Sequence, residues 1–201
     1  MLLVFALQLT LPQLFIGSIG FAPARSGLAF CIQASAIAVA LLALSLTGLW
    51  LLPPWWAPWA FGSLLLAAVV VGWQRRSPLA SQLRSGWREW LFTAVFLAIG
   101  GWGVYQSAGA LSGRTLPSGA VIELTFPLKG GDYLVVNGGS NININAHLMT
   151  LDASNPRFHA YRGQSYGVDI VKLGGWGLRA NGLLPPQLSA YNIYGGPIYA
   201  P

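Results

Sequence analysis

An apolar run, LAFCIQASAIAVALLALSLTGLWLL at residues 28–52, decides the fold of this chain. The run has 25 residues and no charged side chain. Because an α-helix rises about 1.5 Å per residue, a helix of this length crosses the roughly 30 Å hydrocarbon core of a bilayer. Only 8% of the 201-residue chain is charged, whereas soluble domains carry about 25% charged residues. The sequence therefore predicts a membrane protein.

Three further apolar runs flank this one, at residues 2–21, 55–73 and 90–107. The sequence PPWWAPW at residues 53–59 separates the second run from the third, since two consecutive prolines cannot continue a helix and tryptophan prefers the headgroup level of a bilayer. We interpret the first run as a retained span rather than a cleaved signal, because no Lys or Arg precedes it. About four transmembrane helices are therefore expected within residues 1–110.

The arginines predict the orientation of these helices. Arg25 is the single charged side chain in residues 1–74, and residues 74–89 contain four arginines, Arg75, Arg76, Arg84 and Arg88. Loops rich in Lys and Arg stay in the cytoplasm, so both basic loops are expected there and everything after about residue 108 is expected outside. We assign the formal net charge of +6 to this orientation rather than to a nucleic-acid partner, because the arginines lie beside apolar spans.

A different pattern begins at residue 111. Residues 111–119 are a polar linker, and residues 120–201 have short apolar groups bounded by Gly, Asn and Pro. Such groups are typical of β-strands joined by turns. The groups are VIELTF, DYLVV, RFHAY, YGVDIVK and PIYA. The sequence therefore predicts a small, mainly-β domain after the helical region.

One strand of this domain, within RGQSYGVDIVK at residues 162–172, carries an acid between apolar residues. Burying the Asp169 carboxylate is costly unless a metal, a cation or several donors satisfy it. His147 and His159 are the histidines of the domain, and together with Asp169 they are candidate zinc ligands. Their spacings of 12 and 10 residues match no compact ligand motif, so surface or hydrogen-bonded histidines remain the alternative. Catalytic residues stay unassigned.

Two other patterns are weaker indications of a functional site. Residues 163–167, GQSYG, match the nucleophile elbow G-x-S-x-G, which requires a helix after the serine and a later histidine. A strand pattern follows instead, and no histidine occurs after His159, so a serine hydrolase is not expected. The glycine pairs of the domain lack a following helix for phosphate binding and indicate turns. Cys31 is the single cysteine and is expected to be a small buried hydrophobic residue.

Three segments of the domain resemble a known family. FPLKGG at residues 126–131, SYGVDI at 165–170 and YGGPIYAP at 194–201 are similar to the front part of lysostaphin-like (LytM-type) zinc endopeptidases, which cut peptide cross-bridges in bacterial cell walls. SYGVDI resembles the first ligand motif of that family, H-x-x-x-D, and YGGPIYAP resembles its run YGTPVYAP. The resemblance covers roughly the final 80 residues.

The resemblance implies a role for each matching residue. Asp169 corresponds to the zinc-binding aspartate of the family, and Ser165 stands where the family has its first zinc-binding histidine. His147 or His159 is then the candidate replacement. The H-x-H motif of the family, with its third ligand and catalytic histidine, lies beyond the YAP run. We therefore expect that this chain is a fragment or needs a partner to complete its antiparallel sheet, and that it does not catalyse hydrolysis by itself.

The function implied is that of a zinc metallopeptidase acting on peptidoglycan peptides, anchored in the bacterial cytoplasmic membrane with its C-terminal domain outside. Two alternatives stay open. The first is a non-catalytic module on the same fold that binds the wall or regulates a wall hydrolase. The second is a membrane transport or assembly protein with an incidental β-tail, although apart from Gln33 the spans offer little polarity for transport.

Overall fold

The computed structural model describes residues 6–48, 53–75, 86–116, 118–120, 123–182 and 185–199. The chain divides into two compact units. The first, called the helical unit, comprises Met1–Gly48 and Trp56–Ala108. The second, called the loop unit, comprises Leu49–Trp55 and Gly109–Pro201.

Four α-helices account for most of the helical unit. A π-helical turn, Ala6–Thr10, leads into α1, Leu11–Phe21; α2 is Gly27–Thr47, α3 is Ala57–Arg75 and α4 is Trp87–Ser112. Of the helices in the described ranges, α2, α3 and α4 are long and apolar enough to cross a membrane, and the apolar helix Ala6–Phe21 is shorter. Three of the four predicted spans are therefore confirmed as long apolar helices, while residues 2–5 and 49–52 lie outside the described residues.

Local signals set the helix ends. Ser26 caps α2, since its Oγ accepts a hydrogen bond from the Ala29 backbone N–H at 3.1 Å. Pro12 lies in the first turn of α1, directly after the π-helical turn Ala6–Thr10, where the change of helix type accommodates its missing N–H. Gly48 is extended after α2, so this helix ends at Thr47 rather than at residue 52 as predicted.

A stripe of residues spaced three and four apart faces the interior of the unit from α2. Its members are Ala29, Phe30, Gln33, Ala36, Ile37, Ala40 and Ala43. Gln33 is fully buried, and its side chain joins three segments. Its Oε1 accepts from the Ala24 N–H at 2.9 Å, and its Nε2 donates to Ser18 Oγ on α1 at 3.3 Å. Both ends of the amide are therefore satisfied, as burial requires.

Cys31 lies on α2 outside this stripe and is exposed. The expectation that it is buried is therefore wrong. The physical reason is its position, since the helix turns about 100° per residue and carries Cys31 away from the face that holds Phe30 and Gln33.

Glycines allow the helices to approach closely. A Cβ on Gly72 of α3 would lie 2.5 Å from the Ile19 carbonyl oxygen of α1. On α4, a Cβ on Gly103 would lie 3.0 Å from the Ala40 nitrogen of α2. Small residues are typical of such contacts in membranes. Gly100 also faces α2, at 3.4 Å from Ala36 Cβ, whereas Gly101 has no atom within 4 Å.

The loop unit contains one antiparallel pair of strands among its described residues, β1 at Asp132–Asn137 and β2 at Asp169–Leu173. Val135 pairs with Ile170, and a bulge follows, so that Asn137 pairs with Asp169. Short 3₁₀ helices fill the connections, at Ala146–Leu151, Pro156–Gln164, Gly175–Gly177 and Leu188–Ala190.

The prediction of a mainly-β domain is confirmed only in part for the described residues, because only DYLVV and the DIVK part of YGVDIVK lie on strands, which pair as an antiparallel sheet. RFHAY lies within the 3₁₀ helix Pro156–Gln164 instead. Asn155 caps this helix by accepting from the Arg157 N–H, and Pro156 fixes a turn-compatible φ. Residues 123–126 and 197–199 form no strand, although the Tyr199 N–H donates to the Pro127 carbonyl.

Replacing Gly72 by Ala tests the contact between α1 and α3. The added methyl meets a backbone oxygen that has no rotamer to change, so we expect a loss of stability of about 1–3 kcal/mol. Gly62→Ala on the same helix is the control, because nothing lies within 4 Å of the added carbon; it should be neutral or slightly stabilising. Thermal unfolding of the full chain in a neutral detergent measures both, and equal midpoints would contradict the packing described.

Candidate functional site

His147 and Asp169, two of the three predicted zinc ligands, lie together. His147 Nε2 is 3.2 Å from both Asp169 carboxylate oxygens. Asp169 opens β2, and His147 lies in the 3₁₀ helix Ala146–Leu151 that follows β1. The Asp169 side chain is 54% exposed and the His147 side chain is 28% exposed, so solvent and ligands can reach the pair. We call these two residues the His147–Asp169 pair.

Asn137 fixes both partners of this pair. Its Nδ2 donates to Asp169 Oδ2 at 3.1 Å, and its Oδ1 accepts from the backbone N–H of Ala146 at 2.8 Å. The bulge in β1 brings Asn137 opposite Asp169, and its side chain is buried. One amide therefore orients the carboxylate and holds the residue that precedes His147.

Asn145 supports the histidine from the other direction. Its Oδ1 accepts from the His147 N–H at 3.1 Å, and its Nδ2 donates to the Gly139 carbonyl at 3.0 Å. Asn137 and Asn145 were not predicted as site residues. For Asn145, the available sequence signal was the alternating Asn and Ile of SNININ at residues 140–145, which folds as a turn that closes on Asn145.

Gly167 lies between the Gln164 carbonyl and the imidazole ring. A Cβ at this position would lie 3.4 Å from His147 Cδ2 and 3.0 Å from the Gln164 carbonyl oxygen. The second value is tighter than most real contacts of a Cβ. The glycine of SYGVD is thus favoured by the turn that closes on the Gln164 carbonyl, while a methyl group would make only an ordinary contact with His147.

Ser165 is buried among hydrogen-bonding groups. It stands at the first histidine position of the family motif. It is 1% exposed, and its Oγ lies 2.6 Å from the Arg162 carbonyl and 2.7 Å from Thr150 Oγ1. Thr150 Oγ1 also lies 2.7 Å from the His147 carbonyl. These three contacts share two hydroxyl protons, so two of them are hydrogen bonds at any one time. The serine therefore stabilises the segment that carries His147, and the pair, rather than Ser165, faces solvent.

The other ligand candidates lie apart from the pair. His159 is exposed, and its Nε2 is 3.4 Å from the Ala153 carbonyl. Asp152 accepts hydrogen bonds from the Ser154 hydroxyl and backbone N–H, and these bonds lower the pKa of its carboxyl. Asp132 opens β1 and is exposed. Across the described residues, no group of three His, Cys, Asp or Glu side chains is arranged to hold a metal ion.

The pair fits part of a zinc site. Ligand atoms at about 2.0–2.2 Å from a tetrahedral zinc are roughly 3.3–3.6 Å from each other, and the nitrogen–oxygen distance in the pair, 3.2 Å, is just below this range. The same distance also suits a direct hydrogen bond between His147 and Asp169. A catalytic zinc needs three protein ligands and an open position, so these two side chains alone do not complete the site of a peptidase.

Comparison with protein-family models, with curated proteins and with solved structures finds no match to this chain. The lysostaphin-like resemblance is therefore carried by its sequence motifs and stays a prediction.

Replacing Ser165 by Ala tests its structural role. The variant removes a buried hydroxyl and leaves Thr150 or the Arg162 carbonyl without its partner, so we expect a loss of about 1–3 kcal/mol of stability. Ser189→Ala, at an exposed serine of the same unit, is the control and should change little. Urea unfolding of the full chain in detergent compares the two. A Ser165→Ala variant as stable as the control would show that the hydroxyl contacts are not stabilising.

Proposed function

We propose that this is a multi-pass membrane protein whose loop unit is a lysostaphin-like module facing the bacterial cell wall. The observation that carries the proposal is the His147–Asp169 pair. It places an imidazole beside the aspartate that the SYGVDI motif assigns to zinc, at 3.2 Å. A histidine from a separate segment thus takes the place that Ser165 leaves vacant in the motif.

The arrangement of the described arginines supports an outward-facing loop unit. Arg75 at the end of α3 donates to the Gly20 carbonyl of α1 at 3.0 Å. Glu89, next to Arg88 at the start of α4, accepts from the Ser26 N–H beside Arg25 at 3.0 Å. Arg25, Arg75 and Arg88 therefore belong to the same end of the helical unit, which is the cytoplasmic end by the distribution of positive charge. Arg76 and Arg84 lie outside the described residues.

The length of α4 is consistent with this topology. The helix starts at the arginine end and has 26 residues, which span about 39 Å. This length exceeds the roughly 30 Å hydrocarbon core. The chain that follows α4 is therefore proposed to lie on the outer side, where peptidoglycan is found.

Hydrolysis of peptidoglycan peptides is the activity that the resemblance implies, and zinc would supply Lewis-acid activation there. His147 and Asp169 are the side chains that would hold the metal, with Asn137 orienting the carboxylate. They supply two of the three ligands that catalysis requires. We therefore propose zinc binding by this chain without turnover of wall peptides.

A second candidate function is a non-catalytic wall-binding or regulatory module that assists another hydrolase. The observation that favours it is the burial of Ser165 within its hydroxyl contacts, because a serine committed to packing does not act as a ligand. In this alternative, the His147–Asp169 pair is a hydrogen bond that stabilises the loop unit.

Zinc binding by matched histidine variants tests the leading proposal. The full chain in detergent should compete with a chromophoric chelator for one zinc ion, and His147→Gln should weaken binding by more than about tenfold because it removes one of two ligands. His159→Gln is the control, since His159 is exposed and apart from the pair, and it should leave binding unchanged.

Three results, one from this assay and two from assays with wall material, would each contradict a proposal. Equal zinc affinity in His147→Gln and the unchanged chain would remove the metal site. Release of wall peptides by the zinc-loaded chain would overturn the expected lack of turnover. Retention of the chain on purified peptidoglycan in excess chelator, together with no zinc binding, would favour the non-catalytic module instead.

Cysteine labelling tests the topology independently of zinc. In a Cys31→Ala background, Gly163→Cys and Gly86→Cys each place a thiol where no neighbouring atom lies within 4 Å. A membrane-impermeant maleimide should label Gly163→Cys on cells whose outer layers are permeable, because the loop unit faces outward. Gly86→Cys, at the arginine end, should label only after the cytoplasmic membrane is opened. The reverse pattern would place the loop unit in the cytoplasm.

A further inference from the structure

A cavity with a mixed polar and apolar lining lies at the arginine end of the helical unit. It is formed by the loop between α1 and α2, residues 22–25, and by the first turns of α4. Its volume is about 400 Å³, which is within the usual range of small-molecule sites, roughly 300–1,000 Å³. We call it the loop cavity. It is distinct from the His147–Asp169 pair, which belongs to the other unit.

Charge determines which ligands the loop cavity favours. Among the described residues, Arg25 and Arg88 line it from opposite segments, and Glu89 is the one carboxylate of the lining. Glu89 Oε1 already accepts from the Ser26 N–H, and this bond joins the two walls. The described lining therefore carries two guanidinium groups and one carboxylate that is already hydrogen-bonded. Guanidinium groups bind phosphate oxygens by paired, charge-assisted hydrogen bonds, so the lining favours a phosphate ester.

The surroundings of the loop cavity are those of an amphiphile site. Trp87 lines it, stacks beside the Arg88 guanidinium at 5.6 Å, and is 71% exposed. Exposed tryptophan is typical of the headgroup level of a bilayer. Within three residues of the cavity lining along the chain, Leu28 of α2 and Leu91 of α4 expose apolar side chains. A ligand with a phosphate between the arginines and hydrocarbon along these helices matches both features.

We infer that the loop cavity binds the phosphate of an anionic phospholipid headgroup, held between Arg25 and Arg88. Basic pockets at the cytoplasmic ends of membrane helices bind anionic headgroups for the same electrostatic reason. The bound lipid bridges the α1–α2 loop and α4, and so adds to the contact that the Glu89–Ser26 hydrogen bond already makes. This inference does not depend on zinc or on a wall-directed role.

Thermal unfolding and native mass spectrometry of the full chain in neutral detergent test this site. Phosphatidylglycerol should bind and raise the unfolding midpoint, whereas phosphatidylcholine, with no net charge, should bind at least about tenfold more weakly. Arg25→Gln and Arg88→Gln, alone and together, should weaken phosphatidylglycerol binding, by about tenfold or more in the double variant. Both arginines are exposed, so these variants should keep the fold.

Arg75→Gln is the matched control, because Arg75 lies at the same end but contacts Gly20 and Phe21 rather than the cavity. It should retain phosphatidylglycerol binding. If Arg75→Gln weakened phosphatidylglycerol binding as much as the double variant does, or if the double variant bound it unchanged, the site would be overturned. Binding would then reflect the overall positive charge of this end of the protein. Equal binding of phosphatidylcholine would overturn the need for an anion. Glycerol 3-phosphate competing at the same concentration as the lipid would overturn a lipid ligand in favour of a soluble phosphate ester.

Discussion

Three buried amide side chains of the described residues meet the requirement that polar groups away from water be paired, since an unpaired group there costs up to several kcal/mol. Gln33 meets this requirement in the helical unit by joining Ser18 of α1 to the Ala24 N–H. Asn137 and Asn145 meet it in the loop unit, between the strands and the His147 segment. In each unit, amide pairing fixes segments that apolar contact alone would leave free to slide.

The long apolar helices were predictable because length and hydropathy alone determine them. The starts of α2 and α3 follow from Ser26 and from the prolines at 53–54, as local chemistry requires. The strands were less predictable. RFHAY has the composition of a strand, but Asn155 and Pro156 start a 3₁₀ helix before it. A local capping signal thus prevailed over β propensity, which depends on pairing partners.

The candidate site was predictable in its residues but not in its geometry. Asp169 was recognised from a carboxylate within an apolar strand, and His147 and His159 were equivalent candidates by residue type. Only the pairing of β1 with β2 separates the two histidines, because it brings the residues after β1 beside Asp169. The bulge at Asn137 is a tertiary feature with no sequence signature of its own, so the residue that orients the carboxylate was missed.

The first residues of the loop unit support the candidate site through hydrogen bonds and close packing. Residues 109–113 belong to the loop unit, and the Gly113 carbonyl accepts from the Ser140 N–H at 3.0 Å. Asn141 Nδ2 lies 3.4 Å from Ser112 Oγ, and a Cβ on Gly113 would lie 2.9 Å from Ile144 Cδ1. The SNININ turn is therefore packed on residues 109–113 of the same unit, and Asn145 at the end of this turn holds the His147 backbone. Any side chain at Gly113 would push on this turn, so the placement of the His147 backbone depends on a glycine 34 residues earlier in the sequence.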